Sequence, residues 1–174
     1  MDIRRIGQFV VYCSGLGLVS AASLGLAVTG RPAAAARLST AWQSRIGPPP
    51  DLPGRVLPAA ANAAVGLLLG LFALIPLGFE LIFPIRGLGY GWVDPGPYDT
   101  AWGGPGLAGA WTAHAVIGAA LAVAGLFMMA GLAALHRRWT ARLAGAPGGA
   151  WVLPVVILSG AAGALFFIGW LRQI

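Results

Sequence analysis

Residues 107–135 read LAGAWTAHAVIGAALAVAGLFMMAGLAAL, an apolar run of 29 residues without a formal charge. About 20 such residues cross the ~30 Å hydrocarbon core of a bilayer as an α-helix. Three more apolar runs occupy residues 6–28, 56–84 and 150–170, and Glu80 is the only formal charge inside any of the four. The sequence therefore predicts an all-α polytopic membrane protein, with four transmembrane helices in a small bundle.

The composition agrees with a membrane protein and bounds its size. The 174 residues are 58% hydrophobic and 9% charged, whereas about a quarter of the residues in soluble domains are charged. We expect a single membrane domain over residues 1–174, with no room for a separate soluble domain. The net charge of +6 comes from arginines near helix ends. This placement favours lipid headgroups as partners over nucleic acid.

The distribution of arginine between the connections predicts an orientation. The connections 29–55 and 136–149 hold seven arginines, and the rest of the chain holds four. Basic loops stay in the cytoplasm, so both termini are expected outside. Arginine without lysine, together with abundant Ala and Gly, fits a GC-rich bacterial source. We therefore expect a multi-pass protein of the bacterial cytoplasmic membrane, anchored at the inner interface by His136, Arg137, Arg138 and Trp139.

The first cytoplasmic connection contains a pattern typical of an interfacial helix over residues 32–46. Its apolar face would lie on the membrane and consists of Ala34, Leu38, Trp42 and Ile46. Its polar face would point away from the membrane and consists of Ser39, Thr40, Gln43 and Ser44. An irregular linker is the alternative for this segment.

Small residues recur at four-residue spacing within the apolar runs, which predicts close helix packing. The packing positions are Gly17, Ala21, Gly25, Gly66, Gly70, Gly118 and Gly160. Packing within one chain and homodimerisation through an unused stripe are both open at this point.

The outer connection, residues 86–106, is the most distinctive loop and is named the aromatic segment. It contains seven Gly and three Pro together with four aromatic residues and two aspartates, so no long regular element is expected. It is either an anchor at the membrane surface or a pocket that contacts a ligand or partner. The expected contact residues of the segment and its supporting helices are Glu80, Trp92, Asp99, Trp102, Trp111 and His114.

Glu80 and His114 are the polar residues on which a mechanism inside the membrane would depend. A carboxylate in hydrocarbon needs a partner or water, so we expect Glu80 to approach His114 or Arg86, the alternative being simple hydration. His114 and His136 lie 22 residues apart, about 33 Å along a helix, too far to share one haem iron. The single cysteine, Cys13, cannot form an intrachain disulfide or a cysteine-based zinc site. Carboxylates and histidines are too sparse to form a catalytic cluster, so the sequence predicts no metal, no cofactor and no enzymatic activity.

A family resemblance rests on AWGGPGLAGAWTAHA at residues 101–115 and LAALHRR at 132–138. These stretches resemble the sensor domain of actinobacterial two-component histidine kinases. In that family a Trp-Gly-Gly-Pro and Gly-Ala-Trp-x-x-His stretch opens a helix that leaves the membrane through an Ala-Leu-plus-basic segment. The resemblance covers about residues 71–145 and lacks the kinase part. It implies a sensor-like membrane module whose signalling output needs a separate partner.

These observations predict a non-enzymatic integral membrane protein of sensor-like or accessory type. It would contact a ligand, a lipid or a membrane partner through the aromatic segment. One alternative is a small structural subunit of a larger transporter or respiratory complex, and a weaker one is a lipid-modifying enzyme. The expected partners are the lipid bilayer and either another membrane protein or further copies of the chain.

Overall fold

The computed structural model describes residues 2–172, apart from the side chains at positions 163, 166, 167, 170 and 171. The regular elements in this part of the chain are all helical. The α-helices are α1 (Ile3–Val28), α2 (Pro32–Gln43), α3 (Val56–Phe72), α4 (Leu74–Ile82), α5 (Tyr90–Val93), α6 (Leu107–Leu143) and α7 (Val152–Leu171). A 3₁₀ turn (Ser44–Ile46) follows α2, and a π-helical turn (Phe83–Leu88) follows α4.

Three helical rods are long and apolar enough to cross a membrane, which confirms three of the four predicted spans. They are α1, the rod Val56–Leu88 formed by α3, α4 and the π-helical turn, and α6. Their 26, 33 and 37 residues correspond to about 39, 50 and 55 Å. The two longer rods exceed the ~30 Å hydrocarbon core, so they tilt within it or extend beyond it.

The fourth predicted span, residues 150–170, contains α7, which begins at Val152. Its described apolar stretch, Val152–Ala162, is shorter than the three rods. The predicted end of the span at Trp170 has a side chain outside the described residues. A fourth crossing therefore stays a prediction.

The predicted cytoplasmic loop 136–149 is more than half helical, because α6 continues to Leu143. Ala, Leu and Arg are strong helix formers. His136 and Thr140 lie one turn apart on the same face of α6, and both are buried. Because the helix continues past residue 135, these two side chains reach their partners on other helices. The connection to α7 shortens to residues 144–151, in which three glycines adopt positive φ.

α2 forms within the predicted segment 32–46, but two residues of its predicted polar face, Ser39 and Gln43, point inward, while Thr40 is half-buried and Ser44 is exposed. It runs antiparallel to α1, with Ser39 against Ser23 and the Trp42 ring against Gly15. Ser39 is 5% exposed and Gln43 is completely buried. The reason is that polar partners are present on the helices that α2 contacts. α2 therefore belongs to the core of the bundle.

α1 packs more extensively on α3 than on any other element, in an antiparallel pair. The closest approach is between Gly17 and Gly70, and Ser20 contacts Gly66 one turn further along. α1, α3, α6 and α7 form a mainly apolar core around this pair. Its largest buried side chains are Tyr12, Leu16, Leu69, Met129, Val152 and Val156.

The predicted packing stripe is correct in part. Close contacts surround Gly17, Gly66, Gly70 and Gly118, and Gly160 meets the Phe72 ring at an ordinary 3.6 Å. Ala21 and Gly25 face outward instead. A four-residue spacing rotates about 40° per step around a helix with 3.6 residues per turn. The buried face of α1 therefore follows Cys13, Leu16, Ser20, Ser23 and Ala27.

The substitution Gly70→Ala is expected to lower the free energy of unfolding by about 1–3 kcal/mol. A Cβ at this position would lie 2.5 Å from the Gly17 Cα atom. The reciprocal Gly17→Ala should be tolerated, because its Cβ would lie 3.8 Å from the Gly70 Cα atom. Thermal unfolding in detergent measures both, with Gly131→Ala, whose Cβ meets nothing within 4 Å, as the control. Equal losses at Gly17 and Gly70 would contradict the packing.

Candidate functional site

The aromatic segment is held on the N-terminal end of α6 by stacked rings. Tyr90 of α5 lies flat against His114, with ring centroids 3.9 Å apart and an interplanar angle of 16°. Tyr98 packs against Tyr90 with centroids 6.2 Å apart, and its hydroxyl donates to the Asp94 carbonyl oxygen at 2.7 Å. Because Gly and Pro exclude a long helix here, side-chain stacking fixes the position of the segment.

A second aromatic pair stands at the rim of the segment. Trp92 meets Trp111 of α6 edge to face, with centroids 5.9 Å apart and an angle of 65°. Trp92 is 84% exposed. Exposed tryptophans are typical of the membrane–water interface, where an apolar ring and a polar N–H are both accommodated.

Two adjoining hollows open beside the stacked Tyr90 and His114 rings. The outer pocket, of about 320 Å³, is lined by Tyr90, Asp94, Pro97, Thr100, Ala101, Trp102 and His114. The outer groove, of about 150 Å³, lies between the π-helical turn and α6, lined by Ile82, Phe83, Arg86, Gly87, Trp102, His114, Ile117, Gly118 and Leu121. Trp102 and His114 line both hollows, so they mark the boundary between a polar compartment and an apolar one.

One positive and one negative side chain face each other where the two hollows meet. Arg86 Nη2 lies 4.0 Å from Asp94 Oδ2, and both side chains are more than a third exposed. An ion pair of this length and exposure contributes little to stability. Asp94 also accepts a hydrogen bond from the Gly96 backbone N–H at 3.3 Å. Both charged groups therefore keep capacity for another partner.

The stacked Tyr90 and His114 rings are held in a fixed geometry. His114 Nδ1 donates to the Ala110 carbonyl oxygen at 2.8 Å, which fixes the imidazole on its own helix. Burial, with a smaller contribution from Asp94, raises the pKa of the Tyr90 hydroxyl above its ordinary value. Tyr90 therefore stays protonated at neutral pH.

The structure brings some of the predicted contact residues together and separates others. Trp102 and His114 share the outer pocket, and Trp111 pairs with Trp92 beside it. Asp99 is exposed and lies outside the pocket lining. The pocket also uses Tyr90 and Thr100, which the sequence did not single out. Both residues lie within the aromatic segment, so their position in the sequence could have indicated them as pocket residues.

The predicted approach of Glu80 to His114 or Arg86 is wrong. The Glu80 carboxylate lies against Gly125 of α6, about three turns from His114, or ~16 Å along the helix. Its Oε1 atom has no hydrogen-bond partner in the part of the chain that the structure describes. The cause is the antiparallel register of α4 and α6, which sets Pro76 and Glu80 opposite Gly125 and leaves the π-helical turn opposite His114.

Sequence reasoning missed a buried polar cluster, which lies toward the opposite end of α6. Its members are Tyr12, Ser23, Ser39, Gln43, Asn62, His136 and Thr140, all at most 5% exposed. The Thr140 hydroxyl accepts from Gln43 Nε2 at 2.7 Å and donates to Asn62 Oδ1 at 2.6 Å. The signal was Asn62, a polar residue inside an apolar span, which needs a partner when buried.

Two of the predicted inner-interface anchors belong to this buried region instead. His136 is 3% exposed, and its Nδ1 atom is hydrogen-bonded to the Tyr12 hydroxyl at 2.6 Å. Trp139 is 8% exposed and donates to the Ala61 carbonyl oxygen at 3.2 Å. Arg137 donates to the backbone carbonyl oxygens of Ile46 and Pro48, which follow α2. Arg138 lies over the Trp151 ring. The anchoring positions face inward because α6 continues as a packed helix.

The fold also changes the charge argument for orientation. α2 runs back along α1, so Arg45 lines the same shallow hollow as Arg4, together with Gly7, Gln8 and Val11. The charge count assigned these two arginines to opposite sides of the membrane. The two groups of arginines are therefore not separated in the fold as the count assumed.

Comparisons with known proteins found no family model, no curated protein and no solved structure that matches this chain. The chemistry of the outer pocket follows from its side chains, which offer a carboxylate, an imidazole, a phenol and an indole. Among residues 2–172, no three His, Cys, Asp or Glu side chains come together as a metal site. The pocket is suited to recognition by charge, hydrogen bonding and ring stacking.

The substitution Thr140→Val is expected to lower the free energy of unfolding by about 1–3 kcal/mol, because it leaves Gln43 Nε2 and Asn62 Oδ1 unpaired in the core. Thr112→Val on the same helix is the matched control, since the exposed Thr112 hydroxyl bonds only to its own helix, at the Ala108 carbonyl oxygen. Thermal unfolding of both variants in detergent measures the difference. A Thr140→Val protein as stable as Thr112→Val would show that the cluster does not hold the helices together.

Proposed function

We propose that this protein is a non-enzymatic integral membrane module, sensor-like or accessory, that binds a lipid-like ligand through the aromatic segment. The observation that carries the proposal is the polar outer pocket joined to the apolar outer groove, with Trp102 and His114 lining both. A ligand with a polar end and a hydrocarbon end fits such a pair of compartments.

The surroundings of the site support binding from the bilayer. Exposed large apolar side chains continue from the groove along both helices that form it, including Leu81, Ile82, Val116, Ile117 and Leu121. Apolar surface of this extent is stable when it faces lipid tails. A lipid could therefore reach the groove sideways, without leaving the membrane.

The resemblance to kinase sensor domains supports the sensor-like interpretation. The residues that carry it, Trp102, Trp111 and His114, are also the ones that line or flank the outer pocket. In this interpretation, ligand binding changes the contacts between the aromatic segment and α6, and a separate membrane partner reads that change.

A structural subunit of a larger membrane complex is the second candidate. It is favoured by an apolar crevice of about 390 Å³ between α3, α6 and α7, whose lining includes Leu69, Phe72, Met128, Leu132 and Val155. A helix of another membrane protein, or of a second copy of this chain, would bury these side chains.

The proposal places the chain in the bacterial cytoplasmic membrane with α7 as a fourth crossing and both termini outside. Four crossings put the two ends of the chain on one side. The orientation rests on the count of arginines in the loops. Arg4 and Arg45 line the same hollow, so they are left out of that count. Asp2→Cys and Arg172→Cys, each in a Cys13→Ala background, test both points by labelling with a membrane-impermeant reagent in intact cells. Labelling of only one of the two positions would contradict the fourth crossing.

Photo-crosslinking tests the proposed ligand site. A phospholipid with a photoreactive acyl chain, incorporated with the protein into nanodiscs, is expected to label the outer groove around Phe83, Ile117 and Leu121. Trp102→Ala should reduce this labelling several-fold, because Trp102 lines both hollows. Trp92→Ala is the matched control, as this exposed tryptophan lines neither hollow. Labelling spread evenly over all lipid-facing helices, and unchanged in Trp102→Ala, would refute the site.

A further inference from the structure

The charged groups of the outer site occur in a fixed order from the apolar end to the polar end. The groove side begins with hydrocarbon walls from Phe83, Ile117 and Leu121, and Arg86 is its only charged lining residue. The pocket side follows, with Asp94 as its only charged lining residue. The sequence of compartments is therefore apolar, then positive, then negative.

This order matches one class of amphiphile. A zwitterionic phospholipid presents a hydrocarbon chain, then a phosphate, then an ammonium group at its outer end. A phosphate is recognised well by an arginine guanidinium, and an ammonium group by a carboxylate. An anionic lipid without an amine would place its headgroup against Asp94 without an opposite charge to offer it.

Besides the Asp94 carboxylate, the exposed Trp102 ring offers a second means of recognising the ammonium group. Cations bind over the faces of Trp and Tyr within about 6 Å of the ring centre. Trp102 lines the pocket that contains Asp94, whereas the Tyr90 ring is buried between His114 and Tyr98. Trp102 is 69% exposed, so its ring is free to close over a bound headgroup. A carboxylate beside an exposed indole is suited to an ammonium ion.

We propose that the outer site binds a zwitterionic amine–phosphate amphiphile. Its phosphate lies on Arg86, its ammonium group lies between Asp94 and the Trp102 ring, and its chain lies in the outer groove. The weak pair between Arg86 and Asp94, 4.0 Å long, opens so that each group takes its complement from the ligand. This inference rests on the proposed function and specifies the class of ligand.

Native mass spectrometry of the full chain released from detergent tests the headgroup. The probes are three lysophospholipids with the same palmitoyl chain and ethanolamine, choline or glycerol in the headgroup. The ethanolamine and choline lipids are expected to bind about fivefold more tightly than the glycerol lipid, a ratio that corresponds to one partly exposed charge contact. The ratio between the first two separates a primary from a quaternary ammonium group.

A matched pair of aspartate variants identifies the group responsible. Asp94→Asn should remove the preference for the amine lipids, while its Oδ1 atom can still accept from the Gly96 N–H. Asp99→Asn, a change of the same kind at an exposed residue outside the pocket lining, should leave the preference intact. Arg86→Gln should weaken all three lipids about equally.

The outcomes distinguish this inference from the proposed function. Equal or tighter binding of the glycerol lipid, or a preference that survives in Asp94→Asn, would overturn the zwitterionic assignment and leave a lipid site in place. Absence of binding by all three lipids, together with photo-crosslinking that Trp102→Ala does not alter, would overturn the proposed function as well. A preference for the amine lipids that Asp94→Asn abolishes and Asp99→Asn retains would support both.

Discussion

The hydroxyl group of Thr140 connects three helices, and the arrangement of the bundle depends on that connection. Thr140 accepts from Gln43 of α2 and donates to Asn62 of α3. Nearby, a hydrogen bond of 2.6 Å between His136 Nδ1 and the Tyr12 hydroxyl connects α6 to α1. Polar groups buried in an apolar bundle are costly when unpaired. The observed placement of the four helices pairs the Thr140 hydroxyl, Gln43 Nε2, Asn62 Oδ1, His136 Nδ1 and the Tyr12 hydroxyl.

This constraint explains the two largest departures from an ordinary hydrophobic bundle. α2 turns Ser39 and Gln43 inward because Ser23 and Thr140 supply partners there. α6 continues to Leu143 because its last turns carry His136, Trp139 and Thr140 into the same buried region. Polar groups buried in this way are hydrogen-bonded to one another rather than exposed to lipid tails.

The polar cluster and the proposed ligand site lie near opposite ends of α6. His114 and His136 are 22 residues apart, which is about 33 Å of helix. One end is fixed by buried hydrogen bonds, and the other carries the exposed rings of the aromatic segment. Changes at Trp102 or Asp94 should therefore affect binding without loosening the bundle, because neither contacts the buried cluster.

The parts of the structure that depend on local sequence could be predicted, and the parts that depend on partners could not. Hydropathy and length predict α1, the rod Val56–Leu88 and α6, because each of them is identified by its own continuous run of apolar residues. The Gly, Pro and aromatic content of residues 86–106 indicates a compact segment and includes most of its site residues. The inward face of α2, and the location of Glu80 against Gly125, depend on helix register. Register is set by contacts between distant residues, which periodicity does not contain.

The inward placement of the polar face of α2 is tested most directly by a disulfide between α1 and α2. Ser23→Cys and Ser39→Cys are combined in a Cys13→Ala background, because the two serine hydroxyls lie 3.2 Å apart, within reach of a disulfide. Oxidation with copper phenanthroline in membranes, followed by mass spectrometry of the linked peptides, should show nearly complete pairing. Ala41→Cys, on the exposed face of α2, should remain unpaired with Ser23→Cys. Pairing through position 41 but not through position 39 would contradict the account.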